Sequence, residues 1–372
     1  MRLLALVALV LTVAACEPGG PQPSPSPSKS PAPNPADTLA GDLRTHLDLL
    51  LGEQVMMVAK QAVAASTHTD DYESYTSLLA NNTSELTDVW RSAFGTTSAA
   101  RLGTSWDTQN TYLVDYTIGV VTHDDAKSKT ALSNLTQKFV PQFSGLVSDA
   151  SRLPLDPVSL LITQQVLEDK AFIDNYADPG NTQKLDLFYR NLHIAYAQSA
   201  RFGDALAVAI ADRYADKFPG DPQLRAVNVR VSANLLLQER SYLETMATAA
   251  LLAKRPDEAV AFDALTTNSS AVSSVFVVAA GDTPGAVASA LSEEVRELLN
   301  YTKAGSPQKT GLTEAMARFA NLAGASRQQA TDHANALLKT VDDQRAKDFS
   351  AIATDDRAAA TSTQPIADAL RG

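Results

Sequence analysis

From Leu39 onward the apolar positions recur with a helical period. The first stripe runs Leu43, Leu47, Leu50, Gln54, Met57, Gln61, advancing by alternating steps of four and three. A second, Leu102, Trp106, Gln109, Leu113, Tyr116, Val120, keeps the same steps, and a third, Val158, Ile162, Gln165, leads on to Phe172 and Tyr176 with Asp169 interrupting it. The spacing predicts helices over 39–66, 71–93, 97–122, 125–150, 155–177 and 182–216, and no stretch alternates as a strand would. Asp70, Asp71 and Thr97 are candidate N-caps, and Pro141 should kink or split the fourth helix because it removes a backbone donor.

The pattern is written twice. At an offset of 186, Leu49-Leu50-Leu51 and Glu53 fall on Leu235-Leu236-Leu237 and Glu239, and Asn82, Val89, Trp90 and Gly95 fall on Asn268, Val275, Phe276 and Gly281. The offset then shrinks: 185 at Tyr116 and Tyr301, 177 where Leu135 meets Leu312, and 164 where Asp204-Ala205-Leu206 meets Asp368-Ala369-Leu370. Shortened loops in a second copy produce such a drift. The break between copies is Phe218-Pro-Gly-Asp-Pro222, which no helix can cross. The expected fold is all-α: homologous bundles at 39–218 and 223–372, each with four long core helices and two peripheral ones.

Glutamines stand in the core stripes of the first copy, at Gln54, Gln109, Gln165 and, with a looser stripe, Gln198. The register maps Gln54 to Arg240, Gln109 to Glu294, Gln165 to His333 and Gln198 to about Ser362. An Arg and a Glu on neighbouring buried faces are each costly alone and tolerable as a pair, so amides in one copy should become an ion pair in the other. Such layers either fix helix register, as buried polar residues do in coiled coils, or line a small cavity for a ligand or ion.

Before Leu39 the composition changes. Met1-Arg2, an apolar run from Leu3 to Val13 and Ala14-Ala15-Cys16 read as a secretory signal over residues 1–15. Val13-Ala-Ala-Cys16 resembles the lipobox of bacterial lipoproteins, which implies lipidation of Cys16. Residues 16–38, rich in Pro, Ser and Gly, read as a disordered tether. Cys16 is the only cysteine, so no intramolecular disulfide or multi-thiolate metal site can form. The net charge of −11, without a Lys/Arg cluster, argues against a nucleic-acid partner.

After the tether, the chain resembles over most of its length a group of uncharacterised duplicated helical-bundle lipoproteins exported by actinobacteria and related bacteria. The resemblance rests on the duplication, on Leu50-Leu-x-Glu53 in the first helix and on the aromatic-x-x-polar step Trp106-Asp-Thr-Gln109 in the third. In that group histidine often stands at the positions of Gln54, Gln109, Gln165 and Gln198, and four converging histidines would suit a metal. This chain keeps only His333 of the eight equivalent positions, so neither metal nor cofactor is expected, and the resemblance brings no activity with it.

Catalytic patterns are thin. Glu-x-x-His pairs are absent, and Ser306-Pro-Gln-Lys-Thr-Gly311 merges two motifs of penicillin-binding enzymes on the single Lys309, in what reads as an interhelical loop. The expected function is non-enzymatic: a lipid-anchored binding or scaffold module on the outer face of a bacterial cytoplasmic membrane, meeting an envelope protein. The alternative is a small-ligand or metal-binding protein with a site at each polar layer.

Overall fold

A computed structural model describes residues 34–178, 180–280, 284–304 and 309–370. The signal, Cys16, the tether up to residue 33, and the turns at Gly281 and Ser306-Pro307 lie outside the described residues.

Every helix expected in the first half is present within a few residues at each end. They are α1 Leu39–Thr67, α2 Tyr72–Phe94, α3 Thr96–Val121, α4 Asp125–Asn134, α5 Val140–Ser151, α6 Leu155–Tyr176 and α7 Thr182–Arg213. Between α4 and α5 the chain makes a π turn over Leu135–Phe139, directly before Pro141. The widened turn accommodates the missing donor, so the predicted fourth helix is split. The caps differ from expectation: α3 is entered through Gly95 at φ 83°, which puts Thr97 inside the helix. Asp71 holds the N-cap of α2 without a side-chain bond, and Asp70 precedes it.

The second half follows with α8 Arg225–Ala253, α9 Glu258–Ala280, α10 Pro284–Ala304, α11 Lys309–Ala323, α12 Arg327–Ala346, α13 Phe349–Thr361 and α14 Gln364–Ala369. Lys309-Thr-Gly311 therefore opens a helix rather than sitting in a loop. No strand occurs among the described residues.

Two helices organise the rest. α1 and α8 pack on one another, and each is buried on nearly every side, so α1 reads Leu49-Leu-Leu-Gly-Glu-Gln-Val55 without an exposed face. Gly52 and Gly203 let α7 approach α1: a Cβ on Gly52 would stand 2.6 Å from the Tyr196 ring. α7 leans on α1 and also touches α9, while α13 leans on α8 and also touches α2. Residues 34–372 accordingly form one unit, and its main core joins Trp90, Phe143, Phe172 and Phe188 to Tyr242 and Met246. Residues 34–38 belong to it as well, not to a tether: Ala36 is buried, and Thr38 caps α1.

Candidate functional site

Three of the four glutamines meet. Gln54 from α1, Gln109 from α3 and Gln165 from α6 line one void with Trp106, Ile162 and Phe202. Its volume is about 10 Å³, which holds about one water molecule. Gln54 Nε2 donates to Asn110 Oδ1 at 3.2 Å and Gln165 Nε2 to Asp169 Oδ1 at 2.8 Å, leaving Trp106 Nε1, Gln109 Oε1 and Gln165 Oε1 without protein partners. Asp169, which seemed to interrupt the stripe, is fully buried, and burial raises its pKa to about 7. Gln198 is not part of this layer. Its amide turns to Gln164 Oε1 at 3.3 Å, across the α6–α7 seam.

In the second half Arg240 from α8 and Glu294 from α10 are both buried and paired, with Arg240 Nε donating to Glu294 Oε2 at 3.0 Å and Nη1 to Ser269 Oγ at 2.8 Å. The sequence reading missed a third member. Glu244, one turn along α8, lies 2.7 Å from Arg240 Nε and is itself buried. One guanidinium balances one carboxylate, and burial together with Glu294 lifts the Glu244 pKa well above its usual value. His333 shares the neighbourhood but not the bonds: its Nδ1 pairs with Ser362 Oγ at 2.9 Å, and burial lowers its pKa to about 4.

Other bonds recur in both halves at the spacings of the sequence match. Asn82 Nδ2 donates to Leu50 O and Glu53 Oε2, both at 2.8 Å; Asn268 Nδ2 donates to Leu236 O and Glu239 Oε2, both at 3.0 Å. Tyr116 Oη donates to Asp174, and Tyr301 Oη to Asp342. Arg44 binds Asp204, Asn228 and Pro222 O; Arg230 binds Asp368, Asp42 and Ala36 O. In each set one partner comes from the arginine's own half and two from the other. The inter-half pairs swap in the same way, with Arg357 on Glu53 at 2.8 Å and His193 on Glu239 at 2.7 Å. Glu53 and Glu239 were visible in the sequence as a repeated Leu-Leu-x-Glu, but nothing local revealed that their cations come from the opposite half.

The largest contrast lies where α1 and α8 end. On one side, Phe172, Tyr176, Phe188 and Tyr189 stack edge to face, and Asp257 accepts from Tyr189 Oη at 2.9 Å and from Arg255 at 3.0 and 3.1 Å. On the other side is a cavity of about 580 Å³. Val63, Met246, Leu252, Phe349 and Ile352 make its apolar wall; Asp71, Arg255, Arg345 and Lys347 are the charged residues around it. At its buried end Lys60 pairs with Asp356 at 2.7 Å and donates to Thr245 Oγ1 at 2.8 Å, and Tyr75 Oη donates to Asp356 at 3.0 Å. Burial lowers the Lys60 pKa, against the pull of Asp356. Asp71 Oδ1 is buried without a partner.

No family model, curated protein or solved structure matches the chain. Among the described residues, no three His, Cys, Asp or Glu side chains stand together as a metal site would require, and no helix is long and apolar enough to cross a membrane.

Proposed function

We propose that the chain is a lipid-anchored, extracytoplasmic binding module without enzymatic activity, built from a duplicated helical bundle. The duplication reading is supported by four sets of bonds that recur at the offsets of the sequence match. Matching letters can arise by chance in helical sequence; matching partners, on both sides of a seam, do so far less easily. The binding reading is carried by one observation, the cavity of about 580 Å³ at the ends of α1 and α8, whose size and mainly apolar wall suit a small molecule. By contrast the two polar layers, the sites of the alternative reading, leave no such room. One encloses space for about one water, and the other is filled by its own ion pair, which favours a register-fixing role for both.

Anchoring at Cys16 on the outer face of a cytoplasmic membrane rests on the lipobox and signal pattern. Partners then lie in the envelope. Two measurements test the proposal. Cys16→Ser should leave the protein uncleaved or shift it from the membrane fraction to the soluble one; unchanged membrane attachment would refute the anchor. Native mass spectrometry of the purified protein, residues 34–372, should detect a small bound molecule or a ligand taken up from an envelope extract. Persistent absence of both would remove the cavity as a binding site.

A further inference from the structure

The cavity and the aromatic stack occupy corresponding corners, and comparing them residue by residue says what the cavity would take. With offsets of 186 for the first helices, 168 for α6 on α12 (fixed by Asp174 and Asp342 under their tyrosines) and 164 for α7 on α13 (fixed by His193 and Arg357 on their glutamates), the matches are direct. Phe172, Tyr176 and Phe188 correspond to Thr340, Gln344 and Ile352. Tyr189 corresponds to Ala353, partly offset by Tyr75 where the other corner has Ala261. Two aromatic rings are thus replaced by a hydroxyl and an amide, and a third by a smaller aliphatic chain. Leu185, which becomes Phe349, returns only part of the lost volume.

The hydrogen bonding changes with the volume. Asp257 and Asp71 both precede the second helix of their half, and the backbone N–H three residues into each helix, on Ala261 and on Tyr75, donates to the aspartate's carbonyl. Asp257 is held by Arg255 and by the Tyr189 hydroxyl, with Tyr176 close by. Around Asp71 the same three positions carry Thr69, Ala353 and Gln344, and Oδ1 has no partner. A buried carboxylate oxygen without a donor is unfavourable, and so is an unfilled apolar corner. The second corner also puts the buried Lys60–Asp356 pair where the first has Met246 and Leu192, although apolar residues of that size would be at least as stable. These departures remove an aryl ring and a phenol hydroxyl donor from the corner, while the Lys60 ammonium is already taken up by Asp356 and by the faces of Tyr75 and Tyr242.

We infer that the cavity binds a small hydroxylated aromatic molecule of the phenol class. Its ring takes the space that Tyr176 and Phe188 fill in the other corner, against Val63, Met246, Phe349 and Ile352, and its hydroxyl donates to Asp71. The inference rests on the binding reading above and adds the ligand class to it.

The test titrates the protein, residues 34–372, with p-cresol, toluene and cyclohexanol, following heat of binding and melting temperature. p-Cresol should bind at least about tenfold more tightly than either analogue, because one lacks the donor and the other the flat ring. Gln344→Tyr, which restores the first corner's ring at the cost of the Gln344 bonds to Thr245 O and Thr248 Oγ1, should abolish p-cresol binding in a protein that still unfolds cooperatively. Asp71→Asn should weaken p-cresol about tenfold and leave toluene unchanged. Equal affinity for the three probes, or p-cresol binding that survives Gln344→Tyr, would overturn the inference. If all three probes fail while another molecule occupies the cavity and is displaced by Gln344→Tyr, the phenol class falls and the binding reading stands. If Gln344→Tyr changes the uptake of no ligand at all, both fall.

Discussion

The two interior polar layers stand at matching positions of the sequence register and are built differently. Around Gln54, Gln109 and Gln165, neutral amides leave spare acceptors facing a void; around Arg240, Glu244 and Glu294, one guanidinium serves two carboxyl groups, and both Glu244 oxygens and Glu294 Oε1 are left without a hydrogen bond. The lesson is about what each layer tolerates. An amide layer can lose a member at the cost of a hydrogen bond, whereas a charged layer fails when its one cation is removed.

The largest expected effect follows from that difference. Arg240→Gln strands two buried carboxyls without a cation and should destabilise by about 4 kcal/mol in urea unfolding at pH 7. Glu294→Gln should be milder, because Glu244, 2.7 Å from Arg240, can ionise in its place. Gln109→Leu, in the amide layer, should lose about 1 kcal/mol. A Glu294→Gln loss equal to that of Arg240→Gln would mean that Glu244 is not the spare counter-charge.

Next in size are the seam arginines. Arg44 and Arg230 make corresponding bonds, so Arg44→Ala and Arg230→Ala should lower stability by similar amounts, about 2 kcal/mol each. Unequal losses, one large and one negligible, would break the correspondence between halves.

A smaller effect concerns Asp48, which is buried against Gly203 and Asp204 where the second half has Asn234 against Asp368. Burial first, and then Asp204, raises the Asp48 pKa well above the usual value of 3.8. A raised folded-state pKa contributes stability that is complete below 3.8 and lost as pH climbs through the folded value. Asp48→Asn should therefore raise the melting temperature at pH 7, with the gain shrinking toward pH 4. A loss at neutral pH would contradict this.

The smallest effect separates the two inter-half pairs. Glu239 raises the pKa of half-exposed His193 above 6.5, so the contribution of this pair is complete below pH 6.5 and fades as pH rises through the folded value. Arg357 on Glu53 has no such window. His193→Arg should flatten the stability profile above pH 6.5, as measured by melting temperature across pH 6 to 9.

Much of the fold was legible in the sequence because helical period and turn chemistry are local. The stripes placed Gln54, Gln109, Arg240 and Glu294 inside, and they are inside. Gln198 went astray because its stripe was weak and a neighbouring helix offered Gln164 as a partner. Glu244 and Lys60 escaped for another reason. A helix buried on all sides has no polar face to read, so a charge off the main stripe passes for a surface residue. The cavity was illegible too, since Gln344 and Ile352 line it where the other corner has rings, and absence becomes visible only against that corner.

The proposed duplication makes the two layers interchangeable solutions of one packing problem. Its most direct test is to write the first half's residues into the second: Arg240→Gln, Glu244→Val and Glu294→Gln together, matching Gln54, Val58 and Gln109. Urea unfolding of this triple variant should recover most of the stability that Arg240→Gln alone removes, ending within about 1.5 kcal/mol of the parent. A triple variant as unstable as Arg240→Gln alone, or less stable, would mean that the layers are not interchangeable.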